Sequence, residues 1–186
     1  MLKVKQIVPI LIDDYPWHQD LKDSIVPLLE NYPDKQNRVT NVKATMTEWE
    51  WGTDNPKVHR LQIYLLNEIK KFFSIGCYND NGRNADPEGM RLVNFWANIY
   101  NKGDYADSHN HRPAYYSFVY FLKTKWYNSS LVFSDSGQKV RPKEGRYVIF
   151  SAQTFHHVPK HKFDDTRITL AGNYIVSEKS YSGGLG

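Results

Sequence analysis

From Arg91 onward the apolar pattern of this chain changes to the two-residue period of β-strands. The segments Arg91 to Tyr100, Tyr115 to Lys123, Ser130 to Ser134, Arg146 to Ser151 and Thr166 to Val176 are rich in Val, Ile, Tyr, Phe and Thr. Between them stand turn-forming stretches: Asn101-Lys102-Gly103-Asp104, Asn128-Ser129, Ser136-Gly137 and Lys143-Glu144-Gly145. Short strands at such spacing have to close on themselves or face a second sheet to bury their apolar side. The expected fold class is therefore mainly β (α+β), an antiparallel sandwich or jelly roll with helices buttressing one outer face.

The first part of the chain reads as support. Lys3 to Ile12 is expected to be a strand, and Asp14 to Glu30 carries Leu21, Ile25, Leu28 and Leu29 at helical spacing, with Pro27 expected to kink or break the helix. In the next helix Asn55 serves as cap and Pro56 as first residue. Leu61, Leu65, Ile69 and Phe72 form its apolar stripe, and Gly76 is the expected stop. With 186 residues the expectation is a single domain over residues 1–186. Residues 1–76 would provide strand and helical support, 91–176 the jelly-roll core and 180–186 a flexible tail.

Cys77 is the only cysteine, which excludes an intramolecular disulfide or a thiolate zinc site and points to the cytoplasm. No apolar run is long enough to span a membrane. The net charge of +4 is scattered, so no run of cations indicates nucleic acid.

Five of the seven histidines lie between His109 and His161. If Ser108 to Arg112 is extended, His109 and His111 share a face and project two imidazoles side by side. Imidazole is a ligand for iron, zinc, copper or nickel. Taken alone, the pair reads rather as two surface histidines in a polar loop beside Asn110 and Arg112. A second pair, His156-His157, follows the strand Arg146 to Ser151. Neighbouring residues of a strand point to opposite faces, so at most one of these joins a metal. The last strand places Ile168 and Leu170 on one face and Arg167, Thr169, Ala171 and Asn173 on the other. Arg167 would need an anionic partner if buried there, and its planar fork suits a carboxylate. The alternative is a solvated face with Asp164 or Asp165 beside it.

Taken in order, these elements resemble the 2-oxoglutarate and Fe(II)-dependent oxygenases, in particular a branch with a His-x-His motif. The residues that carry the likeness are Trp96-Ala97-Asn98, Gly103-Asp104, His109-Asn110-His111, Ser117 to Leu122, Gly145 to Phe150, His156-His157-Val158 and Arg167 to Asn173. They cover roughly Arg91 to Asn173. The resemblance implies a double-stranded β-helix jelly roll. It also implies a dioxygenase that hydroxylates a substrate while decarboxylating the cosubstrate 2-oxoglutarate to succinate. It makes His109 and His156 ligands of Fe(II), Arg167 the partner of the distal carboxylate of 2-oxoglutarate, and Asn98, Tyr100 and Thr169 cosubstrate-pocket residues. Most of the superfamily has a carboxylate where this chain has His111. Either His111 is the third ligand, which is the reading taken here, or Asp107 or Asp104 substitutes.

His157 is expected to face away and His161 to be solvent-exposed. The loops Asn79 to Glu88 and Ser134 to Lys143 are the expected selectors of a small-molecule or peptidyl substrate. A three-His zinc hydrolase and a non-catalytic cupin-like binding module are the alternatives from other classes.

Overall fold

The computed structural model describes residues 8–33, 40–74 and 89–176. The elements in chain order are β1 (Ile10–Asp14), α1 (His18–Glu30), β2 (Val42–Lys43), β3 (Thr45–Met46), α2 (Pro56–Ser74), β4 (Met90–Tyr100), β5 (Tyr105–His109), β6 (Tyr116–Lys123), β7 (Leu131–Phe133), β8 (Lys139–Val140), β9 (Arg146–Ser151), β10 (His156–Val158) and β11 (Arg167–Val176). They form a six-stranded sheet in the order β1-β9-β6-β11-β4-β3 and a five-stranded sheet in the order β2-β5-β10-β7-β8. The named strands pair antiparallel throughout. This is the expected jelly roll, with both helices on the outer face of the larger sheet.

Alternation along β11 decides which side is which. Ile168, Leu170 and Tyr174 join Leu21, Ile25 and Leu29 of α1 and Val58, Leu61, Leu65 and Ile69 of α2 in one buried apolar cluster. The opposite face looks into the space between the sheets. There Tyr100, Phe121, Phe133, Val148, Phe150 and Val158 form a second cluster.

Local sequence explains the better-defined boundaries. Asn55 caps α2 as expected, its Oδ1 accepting the Lys57 amide at 2.9 Å and the Val58 amide at 3.4 Å. Pro27, by contrast, neither stops nor breaks α1, which continues to Glu30. Pro27 stands near the C-terminal end, and both it and Asp23, whose carbonyl loses a helical partner, lie on the exposed side where water can serve that carbonyl. The first strand begins at Ile10 rather than Lys3, and residues 3–7 lie outside the described residues. So do Gly76, the loop Asn79 to Glu88 and the tail 180–186. The stretch Ser134 to Lys143 is not all loop, since it contains β8.

Gly172 is a point of close packing on β11. A Cβ built there would lie 2.5 Å from Cε1 of Phe118 and 2.6 Å from the Asn94 carbonyl oxygen. Because one obstacle is backbone, a side-chain rotation cannot relieve the clash. Gly172→Ala should therefore destabilise the fold by about 1–3 kcal/mol, measured as a lowered urea midpoint at unchanged slope.

Candidate metal centre

The histidines are gathered by two neighbouring strand ends and one turn. His109 closes β5 and His156 opens β10, and the two face each other in the strand register. His111 arrives by a different route. β5 ends at His109, so His111 is placed by the turn that follows rather than by the pleat of an extended Ser108–Arg112 segment. Its amide donates to the Ala152 carbonyl at 2.7 Å, and its carbonyl accepts the Ala114 amide at 2.9 Å. The result is a cluster in which one nitrogen from each of His109, His111 and His156 lies within 4.8 Å of the others. Ring centroids are separated by 5.0 Å for His109 and His111, 4.5 Å for His109 and His156, and 5.0 Å for His111 and His156.

Backbone carbonyls orient two of the rings. Nδ1 of His109 lies 2.7 Å from the Asp107 carbonyl oxygen, and Nδ1 of His156 lies 3.0 Å from that of Thr154. A carbonyl can only accept, so Nδ1 carries the proton in both neutral rings and Nε2 keeps its lone pair. Nε2 of His156 stands 3.3 Å from Nε2 of His111. Burial, reinforced by the neighbouring imidazoles, pushes the pKa of His111 down to about 3 and that of His156 to about 4. Burial also lowers that of His109. The cluster is neutral at physiological pH, its donor nitrogens converge, and among the described residues no carboxylate joins it. Asp104 instead accepts the Asn101 amide at 2.8 Å in the β4–β5 turn, and the Asp107 side chain is exposed.

Aromatic rings wall this cluster. Phe150 lies 4.8 Å from His156, and Trp96 lies 5.8 Å from His111 and 4.9 Å from Trp49. Trp96 stood in the sequence as part of a motif without a role. Its alternation with Asn98 and Tyr100 along one strand was the available signal. The indole donates to Asn98 Oδ1 at 3.1 Å, which links the histidines to the next layer. There Asn98 pairs with Thr169, and Tyr100 with Arg167, across β4 and β11.

Arg167 is fully buried, and among the described residues none of its three guanidinium nitrogens has a hydrogen-bond partner in good geometry, the Tyr100 phenol being its polar neighbour. The guanidinium carbon sits 4.7 Å from the ring centre of Tyr100 and 5.4 Å from that of Phe121. Burial pushes the guanidinium pKa down and that of the Tyr100 phenol up, so the phenol supplies no countercharge. The two nearby carboxylates are engaged elsewhere. Asp164 pairs with Lys102 at 2.9 Å, and Asp165 accepts from Asn128 at 3.0 Å. The solvated-face alternative for Arg167 is thereby removed.

Of the remaining histidines, His157 faces away as expected, with Nδ1 2.9 Å from Ser134 Oγ. His161 is not solvent-exposed but only 1% accessible. The β10–β11 loop folds back on the Gly103-Asp104 turn through two backbone hydrogen bonds at His161, and the ring Nε2 donates to the Asp165 carbonyl at 2.6 Å.

The sequence matches no family model, and no curated protein matches it. The fold does match solved structures. A Pseudomonas putida prolyl-4-hydroxylase is 17% identical, with 91% of this chain and 94% of that one covered and a TM-score of 0.66. HygX from Streptomyces hygroscopicus, with nickel and 2-oxoglutarate bound, is 10% identical over 92% of this chain and 84% of that one, with a TM-score of 0.68. The viral collagen prolyl hydroxylase of Paramecium Bursaria Chlorella virus-1, in its 2-oxoglutarate complex, is 15% identical over 89% and 94%, with a TM-score of 0.59. At such identities the likeness is one of architecture, and the chain has the jelly-roll fold found in 2-oxoglutarate and Fe(II)-dependent oxygenases.

Proposed function

We propose that this chain is a 2-oxoglutarate- and Fe(II)-dependent dioxygenase acting on a small-molecule or peptidyl substrate. One observation carries the reading. A converging, neutral three-imidazole cluster at the smaller sheet faces the same space between the sheets as a fully buried arginine of the larger sheet, which has no anion to pair with among the described residues. Leaving a charge in such a place is unfavourable unless a ligand completes it. A dicarboxylate reaching from a metal at the histidines to Arg167 does so. Ala171, opposite Trp96, is four residues from Arg167, about 13 Å of extended chain. The solved structures of this fold that hold 2-oxoglutarate support the same reading.

His109, His111 and His156 would hold the metal through ring nitrogens, a donor set suited to Fe(II). When bound, the iron supplies the chemistry by which O2, 2-oxoglutarate and a substrate C–H bond yield succinate, CO2 and the hydroxylated product, one oxygen atom going to succinate and one to the product. The Asp107 and Thr154 carbonyls keep two of the ligands in the tautomer that presents Nε2. Arg167 orients the cosubstrate by its distal carboxylate, with Thr169, Asn98 and Tyr100 lining the passage between. Phe121, Phe133 and Phe150 exclude water. A zinc hydrolase would use the same imidazoles but leaves Arg167 without a task.

Anaerobic calorimetry should show 2-oxoglutarate binding at least tenfold more tightly to Fe(II)-loaded than to metal-free protein, and succinate should form once O2 is admitted. Retention of zinc with neither binding nor succinate would overturn this reading in favour of the hydrolase.

Arg167→Met should weaken 2-oxoglutarate binding by about 100-fold while changing metal affinity less than about threefold. Because the variant removes a buried charge without a partner, its metal-free melting temperature should be equal to or above that of the parent. A fall in both stability and metal affinity would mark Arg167 as structural.

The depressed histidine pKa values fix the sign of the pH dependence. Protons compete with metal only where imidazole is protonated, so Fe(II) affinity should change by less than about twofold between pH 7.5 and 6.5. A triad of ordinary imidazoles, each half protonated near pH 6.5, would lose about sixfold over the same interval. Competition titrations at both pH values distinguish the two.

A further inference from the structure

The end of the jelly roll away from the histidines carries a surface that the proposed chemistry does not use. Trp126 is 80% exposed, and Tyr127 and Phe163 are each 39% exposed. The three form a row, with ring centres 5.6 Å apart for Trp126 and Tyr127 and 4.5 Å apart for Tyr127 and Phe163. The row bridges the β6–β7 and β10–β11 loops.

Those loops are tied down beneath the rings. Asn128 Oδ1 accepts the Lys125 amide at 2.7 Å and the Thr124 hydroxyl at 3.0 Å, while its amide nitrogen donates to Asp165 at 3.0 Å. The buried His161 then joins the β10–β11 loop to the Gly103-Asp104 turn. The aromatic row is thus presented on a braced base, which lowers the entropy lost when something stacks on it.

Lysines stand in the same two loops as the row, Lys125 next to Trp126 and Lys162 next to Phe163. Lys125, Lys160 and Lys162 are exposed, and among the described residues none pairs with a carboxylate. The Lys160 ammonium lies 5.5 Å from the ring centre of Tyr105. The acidic groups of the same loops are engaged, Asp164 by Lys102 and Asp165 by Asn128. The cations come from separate loops, which is why no basic run marks them in the sequence.

Flat rings beside unpaired ammonium groups complement a ligand that alternates flat faces with anions. Single-stranded nucleic acid has that character. A duplex keeps its bases stacked inside, and an acidic peptide offers charge without flat faces. We propose that this surface binds single-stranded nucleic acid, with Trp126, Tyr127 and Phe163 stacking on bases and Lys125, Lys160 and Lys162 contacting phosphates. Tyr105 and His109 mark opposite ends of β5, about 13 Å apart along the strand, so binding here needs neither metal nor cosubstrate.

The test uses the full metal-free chain and a fluorescein-labelled oligothymidylate of about eight nucleotides, followed by fluorescence anisotropy. Affinity should fall with salt at a log–log slope of about −2, the value for three phosphate contacts on a single strand. Trp126→Ala should weaken binding at least about fivefold, and Lys162→Gln should reduce the slope by about 0.7. Both changes are at exposed positions, and unchanged circular dichroism checks that the fold is intact. Duplex DNA and heparin should bind more weakly than the oligothymidylate. The proposal is overturned by no binding at low salt, or by heparin binding as tightly as the oligothymidylate with no response to Trp126→Ala. Self-association in sedimentation that depends on Trp126, without oligonucleotide binding, overturns it equally.

Discussion

The antiparallel register of β11 between β4 and β6 is the constraint on which the other features depend. It sets Arg167 opposite Tyr100 and Thr169 opposite Asn98 on one side, and Thr169 opposite Phe121 on the other. A strand has a two-residue period, so a slip by one residue would press Arg167 against the helices and turn Ile168 and Leu170 into the space between the sheets. Gly172 helps to hold that register, because its missing side chain admits Phe118 and the Asn94 carbonyl to close contact. The same strand therefore completes the helix-facing core and furnishes a polar face between the sheets.

The electrostatics between the sheets follow from what is missing there. The imidazole cluster is neutral and contains no carboxylate among the described residues, while the buried guanidinium carries a full charge. A divalent cation would raise the positive charge further. A dicarboxylate offsets most of it, so cation, anion and arginine would favour one another's presence. Binding order and charge balance are thus linked through the same few side chains.

Much of this was legible in the chain itself. The alternation of Arg167 and Thr169 with Ile168 and Leu170 showed which face was polar, and Asn55-Pro56 marked a helix start because both act through their own backbone. The histidine pairs were visible as types and spacings. What could not be read was tertiary. His161 looked like a loop histidine and is buried because a distant turn closes over it. Pro27 looked like a breaker and is accommodated because it falls near a helix end, on the wet side. The short strand Tyr105–His109 hides behind the polar residues Asp107 and Ser108, and its identity depends on β2 and β10 lying alongside. The aromatic row of Trp126, Tyr127 and Phe163 is split across the sequence and exists only once two loops meet.

The hydrogen bond from the His111 amide to the Ala152 carbonyl has a mechanical meaning. It fastens the turn that carries one imidazole to the turn that precedes another, so the segments bearing His111 and His156 are hinged together rather than hung separately. Thermal motion that moves one carries the other with it, and the spacing between their nitrogens changes less than either position does. The hold of two ring nitrogens on a shared ion would then depend in part on a backbone bond that no exchange of side chains would reveal.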